Sequence, residues 1–126
     1  MIPGRASTHR VLGEVFTACT AQDRAAAAAG LGPLPDGTGR PHDRHAAAKA
    51  AELVAADSAG GRLTHRAVLM QHVTAAFAEL DPTRLRDHLI EIGAASARWA
   101  LALDERQAGP RLAEGPEPSL FPEPQP

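Results

Sequence analysis

The chain is predicted to be all-α, a four-helix bundle that completes its core by dimerising, and three observations predict it. No segment of the 126 residues alternates apolar and polar side chains as a half-buried strand does. Apolar residues instead recur at helical spacing, most clearly at Leu85, Leu89, Ile92, Trp99 and Leu103, with Ser96 the polar member of the seam. Ser7, Thr64 and Asp81 stand where helices would need caps. Dimerisation enters because two of the four helices are only weakly apolar.

The first helix is expected from Thr8 to about Ala29, carrying Leu12, Val15 and Cys19 on one stripe and stopping at Gly30. Residues 31–42 hold three prolines and three glycines, so a long loop follows. The second helix covers "HDRHAAAKAAELVAADSA" and ends at Gly60-Gly61, with only Leu53 and Val54 beyond alanine on its apolar face. The third runs from Thr64 to about Leu80 on a stripe of Leu69, Val73, Ala76 and Leu80. Pro82 opens the fourth at the first helical position, where its missing N–H costs nothing. That helix is expected to end near Gln107, ahead of Gly109-Pro110, with Gly93, Ala95 and Ala97 allowing a neighbour to approach closely. The domain scheme is therefore a flexible N-terminus (1–7), a bundle (8–107) and a Pro/Glu-rich disordered tail (108–126).

Composition bounds the function. The formal charge is -2 and only one lysine is present, so no overall electrostatic case for nucleic acid exists. Cys19 is the single cysteine, which excludes an internal disulfide and a thiolate zinc site. No apolar run reaches membrane-spanning length and the N-terminus lacks a signal-peptide pattern, so the default location is the cytoplasm. Aromatic residues make up 3% of the chain, which places Phe16, Phe77 and Trp99 in the expected core.

The histidines focus the search for chemistry. His72 lies beside the apolar stripe of the third helix, and His88 and Glu91 share one face of the fourth at i and i+3. An antiparallel pair joined at Asp81-Pro82 would set His72 and Ala75 opposite His88 and Glu91. His42 and His45 straddle the start of the second helix, where capping or surface placement explains them best.

Residues 61–106, from "GRLTHRAVLMQHV" through "ELDPTRLRDHLIEIG" to "RWALALDER", resemble the second half of a short actinobacterial and phage group of MazG-like nucleotide pyrophosphohydrolases. More faintly, "VLGEVF", Gln22-Asp23 and "PDGTG" resemble that group's opening helix and Pro-Asp-Gly loop. The resemblance implies an all-α fold and paired carboxylate motifs that hold Mg²⁺ against a nucleoside triphosphate. Most of those carboxylates are replaced here: Gln71, His72 and Ala75 occupy the first motif, His88 replaces a glutamate of the second, and Glu91 remains. Imidazoles serve magnesium poorly, because it demands oxygen ligands, but with Glu91 they suit Mn²⁺ or Zn²⁺. A His72/His88/Glu91 metal set is therefore one expectation, and a decayed site whose histidines bond to one another or to Glu91 is the other.

For a nucleotide, the resemblance implicates Glu14, Asp23 and Asp36, and the residues themselves add Arg40, beside a glycine-rich loop whose N–H groups can converge on an anion. Arg44 and Arg62 offer the same chemistry, and no spacing rule selects among them. In the tail, Ser119-Leu120-Phe121 resembles the end of short peptides that dock on bacterial sliding clamps, making Leu120 and Phe121 candidate anchors for a protein partner. The leading expectation is a catalytically impaired module that binds a nucleotide or a protein. The alternative is a divalent-metal nucleoside triphosphate pyrophosphohydrolase using the His/His/Glu set.

Overall fold

The structure, a computed structural model, describes residues 7–114, and side chains over 7–108. Four helices follow in order: α1 (Thr8–Ala28), α2 (Asp43–Ala59), α3 (His65–Ala78) and α4 (Pro82–Glu114). No strand occurs among the described residues, as the missing alternation predicts.

The helix boundaries follow from local hydrogen bonds. Ser7 Oγ accepts from Arg10 N–H at 3.1 Å, Thr64 Oγ1 from Ala67 N–H at 3.1 Å, and Asp81 Oδ2 from Arg84 N–H at 2.9 Å. Each satisfies one of the N–H groups left open at a helix start. At the other ends, α1 and α2 close with the same pair of bonds. Leu31 N–H reaches Ala26 O and Gly30 N–H reaches Ala27 O, while Arg62 N–H reaches Asp57 O and Gly61 N–H reaches Ser58 O. Gly30 (φ 71°) and Gly61 (φ 70°) take the left-handed conformation this closure requires.

Beyond its expected end, α4 continues through Gly109-Pro110 to Glu114, which corrects the helix end placed near Gln107. Proline removes one rung of the hydrogen-bond ladder, and Arg106, Gln107 and Ala108 before it and Arg111, Leu112 and Ala113 after it are all good helix formers. Residues 1–6 and 115–126 lie outside the described residues, and with them Leu120 and Phe121.

The chain divides into two compact units, one made of the residues up to Ala21 with those from Ala97 onward, the other of Gln22–Ser96. In the second, α2 packs against α3. Ala50, Ala67 and Ala76 are its buried apolar residues, and Val11 and Ala97 are those of the first unit. Ala67 and Ala76 stand nine positions apart, about half a turn out of phase, so α3 is covered on two sides.

The aromatic residues do not fill the core as expected. Phe16 is 73% exposed, Phe77 is 55% exposed, and no large side chain is fully buried among the described residues. The tightest places are lined by alanine, and helices that approach to alanine distance leave no room for a ring. Along α4, Leu89 and Leu103 are exposed and Leu85, Ile92 and Trp99 half-buried, while the space beside Gly93 is open. Ser96 is exposed, and bonds from a side-chain hydroxyl back to the carbonyl four residues earlier are made by threonines: Thr17 to Gly13 O, Thr20 to Phe16 O and Thr74 to Met70 O.

Residues 29–42 form the predicted irregular loop, tied down at one point where Gly39 N–H donates to Phe77 O at 2.7 Å. Gly39 is left-handed (φ 75°), and a Cβ there would run into the Leu80 side chain. Gly37 shares the conformation (φ 71°) with open space around it. Alanine at either position is expected to cost about 1–2 kcal/mol through the backbone alone. Leu80 is 73% exposed and free to turn aside, so Gly39→Ala should exceed Gly37→Ala by less than about 1 kcal/mol in urea unfolding. A much larger gap would show that Leu80 is held in place.

Candidate functional site

Where the loop meets α2 it encloses a half-open pocket of about 360 Å³. Arg40, His42 and Arg44 line it together with Gly39, Asp43 and Leu80. The Gly39–Phe77 bond lays the loop across the end of α3, and this is what brings residues 39–44 beside Leu80. His42 occupies the position before α2 with φ 77°, a left-handed conformation uncommon outside glycine, and its side chain makes no capping bond. Asp43 serves the turn instead: its Oδ2 accepts from Arg40 N–H at 2.7 Å.

The pocket's charge follows directly. Asp43 is engaged with a backbone N–H, and no ion pair involves the Arg40 or Arg44 guanidinium among the described residues. Two permanent cations and an imidazole thus face one carboxylate, which favours an anionic ligand.

A second polar cluster sits at the α3–α4 junction. Glu79, 16% exposed at its side chain, accepts from Asp81 N–H (3.1 Å) and from Arg84 Nε (3.3 Å) through Oε2, while His88 Nε2 lies 3.2 Å from Oε1. The Asp81 N–H holds the Glu79 carboxyl below the ordinary glutamate range; burial opposes it, and His88 and Arg84 add to the lowering. One carboxylate therefore ties the end of α3 to the first two turns of α4.

A depressed carboxyl pKa contributes stability that is present above the unfolded-state value and is lost as pH falls through the folded one. Wild type is therefore expected to lose thermal stability below the ordinary glutamate range partly through Glu79. Glu79→Gln should be less stable near neutrality, and its deficit should shrink as pH falls toward about 3, below the usual carboxylate range. Melting curves across that range check this; a deficit independent of pH would mean that the carboxylate charge is immaterial.

Among the described residues, no three His, Cys, Asp or Glu side chains gather as a metal-holding group. His72 is half-buried on α3, Glu91 is exposed on α4, and the hydrogen bond of His88 goes to Glu79 rather than to either. Of the expected nucleotide residues, only Arg40 lines the pocket. Glu14 pairs with Arg10 at 3.6 Å along α1, and Asp23 and Asp36 are exposed elsewhere. Sequence reasoning misses Glu79. Its one signal is the Glu79-x-Asp81-Pro82 spacing, which sets a carboxylate just outside a helix start with Arg84 within reach.

Comparison with protein families, with curated proteins and with solved structures finds no match to this chain. Among the described residues, no helix is long and apolar enough to cross a membrane.

Proposed function

We propose that the chain is a catalytically impaired, MazG-like helical module that binds a phosphate-bearing ligand, a nucleotide in the first instance, at the start of α2. One observation carries the reading: a pocket of about 360 Å³ with Arg40, His42 and Arg44 on its wall and neither guanidinium in an ion pair among the described residues. Its size is at the low end for small-molecule sites, which suits a phosphate chain with the sugar and base at the rim. Planar guanidinium groups bind such oxygens in pairs.

The family resemblance supports the module through its packing residues and the Pro-Asp-Gly loop that leads into the pocket. The hydrolase alternative needs His72, His88 and Glu91 to converge on Mn²⁺, Zn²⁺ or Mg²⁺, and the bond from His88 to Glu79 favours binding over that chemistry.

Calorimetric titration separates the outcomes. A nucleoside triphosphate and inorganic triphosphate should both bind, with Kd between about 10 µM and 1 mM for so open a site. The unphosphorylated nucleoside should not. Binding of the nucleoside as tightly as its triphosphate, or no binding of either triphosphate, would overturn the reading.

A further inference from the structure

We propose that Leu80 is a specificity-determining residue of the pocket, the apolar surface on which the base of a bound nucleotide rests. The proposal rests on the phosphate-binding reading of that pocket and assigns the part of it that the arginines leave unexplained. Arg40, His42, Asp43 and Arg44, the charged and titratable side chains of the lining, all come from the loop and the start of α2. The end of α3 contributes Ala78 and Leu80, which bring only hydrocarbon. A hydrated phosphate chain gains nothing from such a surface. A nucleobase does, because its flat faces leave water on contact with apolar groups.

Leu80 continues the apolar stripe of α3 in sequence, yet its side chain is among the most exposed large apolar ones of the described residues. The backbone beneath it is fixed on both sides. Glu79 N–H donates to Ala76 O, the Glu79 carboxylate accepts from Asp81 N–H and Arg84 Nε, and Asp81 Oδ2 accepts from Arg84 N–H. An apolar side chain on a backbone already ordered covers a ligand at a reduced entropic cost. On one flank the Leu80 side chain lies against Gly39, where a Cβ would collide with it. Gly39 also donates its N–H to Phe77 O, which holds the cationic residues beside Leu80. The ties at Gly39 and Glu79 thus set hydrocarbon and two guanidinium groups around one cavity of about 360 Å³. That arrangement suits a ligand anionic at one end and apolar at the other. Neither Ala78 nor Leu80 has a side-chain donor or acceptor to read a base edge, so the contact follows base area and not base identity.

Calorimetric titration of the full chain with adenosine triphosphate, guanosine triphosphate and inorganic triphosphate tests this. The readout is the change that each substitution makes for one ligand, since inorganic triphosphate carries more charge than a nucleotide. Leu80→Ala should weaken both nucleotides alike, by about 5- to 10-fold, and leave inorganic triphosphate unchanged. Leu80→Met, which conserves volume and apolar character, should bind nucleotides as wild type does. Unchanged binding of inorganic triphosphate also shows that the variant pocket is intact. An equal loss for nucleotides and inorganic triphosphate, no loss for either nucleotide, or a loss confined to one purine would overturn the proposal and leave the phosphate site standing. Failure of every triphosphate to bind wild type would overturn the phosphate site itself, and the role of Leu80 with it.

Discussion

Ala76→Leu is expected to destabilise the protein by about 1–3 kcal/mol, the cost of forcing extra methylene groups into an occupied space. Ala76 is 1% exposed, the most enclosed of the buried apolar residues, and lies near the end of α3. The backbone cannot yield freely there either, because Ala76 O accepts the Glu79 N–H at 3.1 Å. A shift that admits leucine would move the end of α3, and with it the carboxylate that Asp81, Arg84 and His88 share. Each kcal/mol corresponds to a melting-temperature drop of about 4–8 °C in a domain of this size, so the effect should be plain in a thermal scan. Ala75→Leu is the control: Ala75 is half-buried and its extra atoms have solvent to turn toward. Equal losses at the two positions would mean that the alanine contacts around Ala76 are not the tight part of the core.

The second large effect concerns binding. Arg40→Ala and Arg44→Ala are each expected to weaken a triphosphate ligand about 5- to 10-fold, roughly 1–1.4 kcal/mol, the lower range for a charge-assisted bond because both side chains are exposed. The double variant should lose about 15- to 50-fold, short of strict additivity since both arginines address one ligand. Arg62→Ala removes the same charge outside the pocket lining and should change affinity little. Raising salt should weaken wild type more than the double variant. If Arg62→Ala matched the pocket variants, a diffuse attraction would replace the pocket as the explanation.

What the sequence discloses, and what it withholds, divides by the range of the forces involved. Ser7, Thr64, Asp81, Gly30 and Gly61 mark the helix ends because each acts through bonds to residues three to five positions away. Pro110 misleads because the propensity of its neighbours outweighs one missing bond in the last turns of a 33-residue helix. The exposure of Phe16 and Phe77 depends on how closely alanine-lined helices approach, a distance that no periodicity encodes. His72, His88 and Glu91 share the spacing of a ligand set, yet His88 is taken by Glu79, nine residues away across a helix junction whose geometry no repeat specifies. Arg40 and Arg44 are visible as cations. Only the bond from Gly39 to Phe77 shows why they line one pocket while Arg62 does not.

The most direct test of the ligand-binding account is to map backbone amide shifts of the isotope-labelled protein during titration with a nucleoside triphosphate. The expected perturbations centre on Gly39, Arg40, His42, Asp43 and Arg44, with Leu80 responding across the pocket and α1 unaffected. Perturbations that centre on His72, His88 and Glu91 and leave residues 39–44 unmoved would contradict it and return the search to the α3–α4 face.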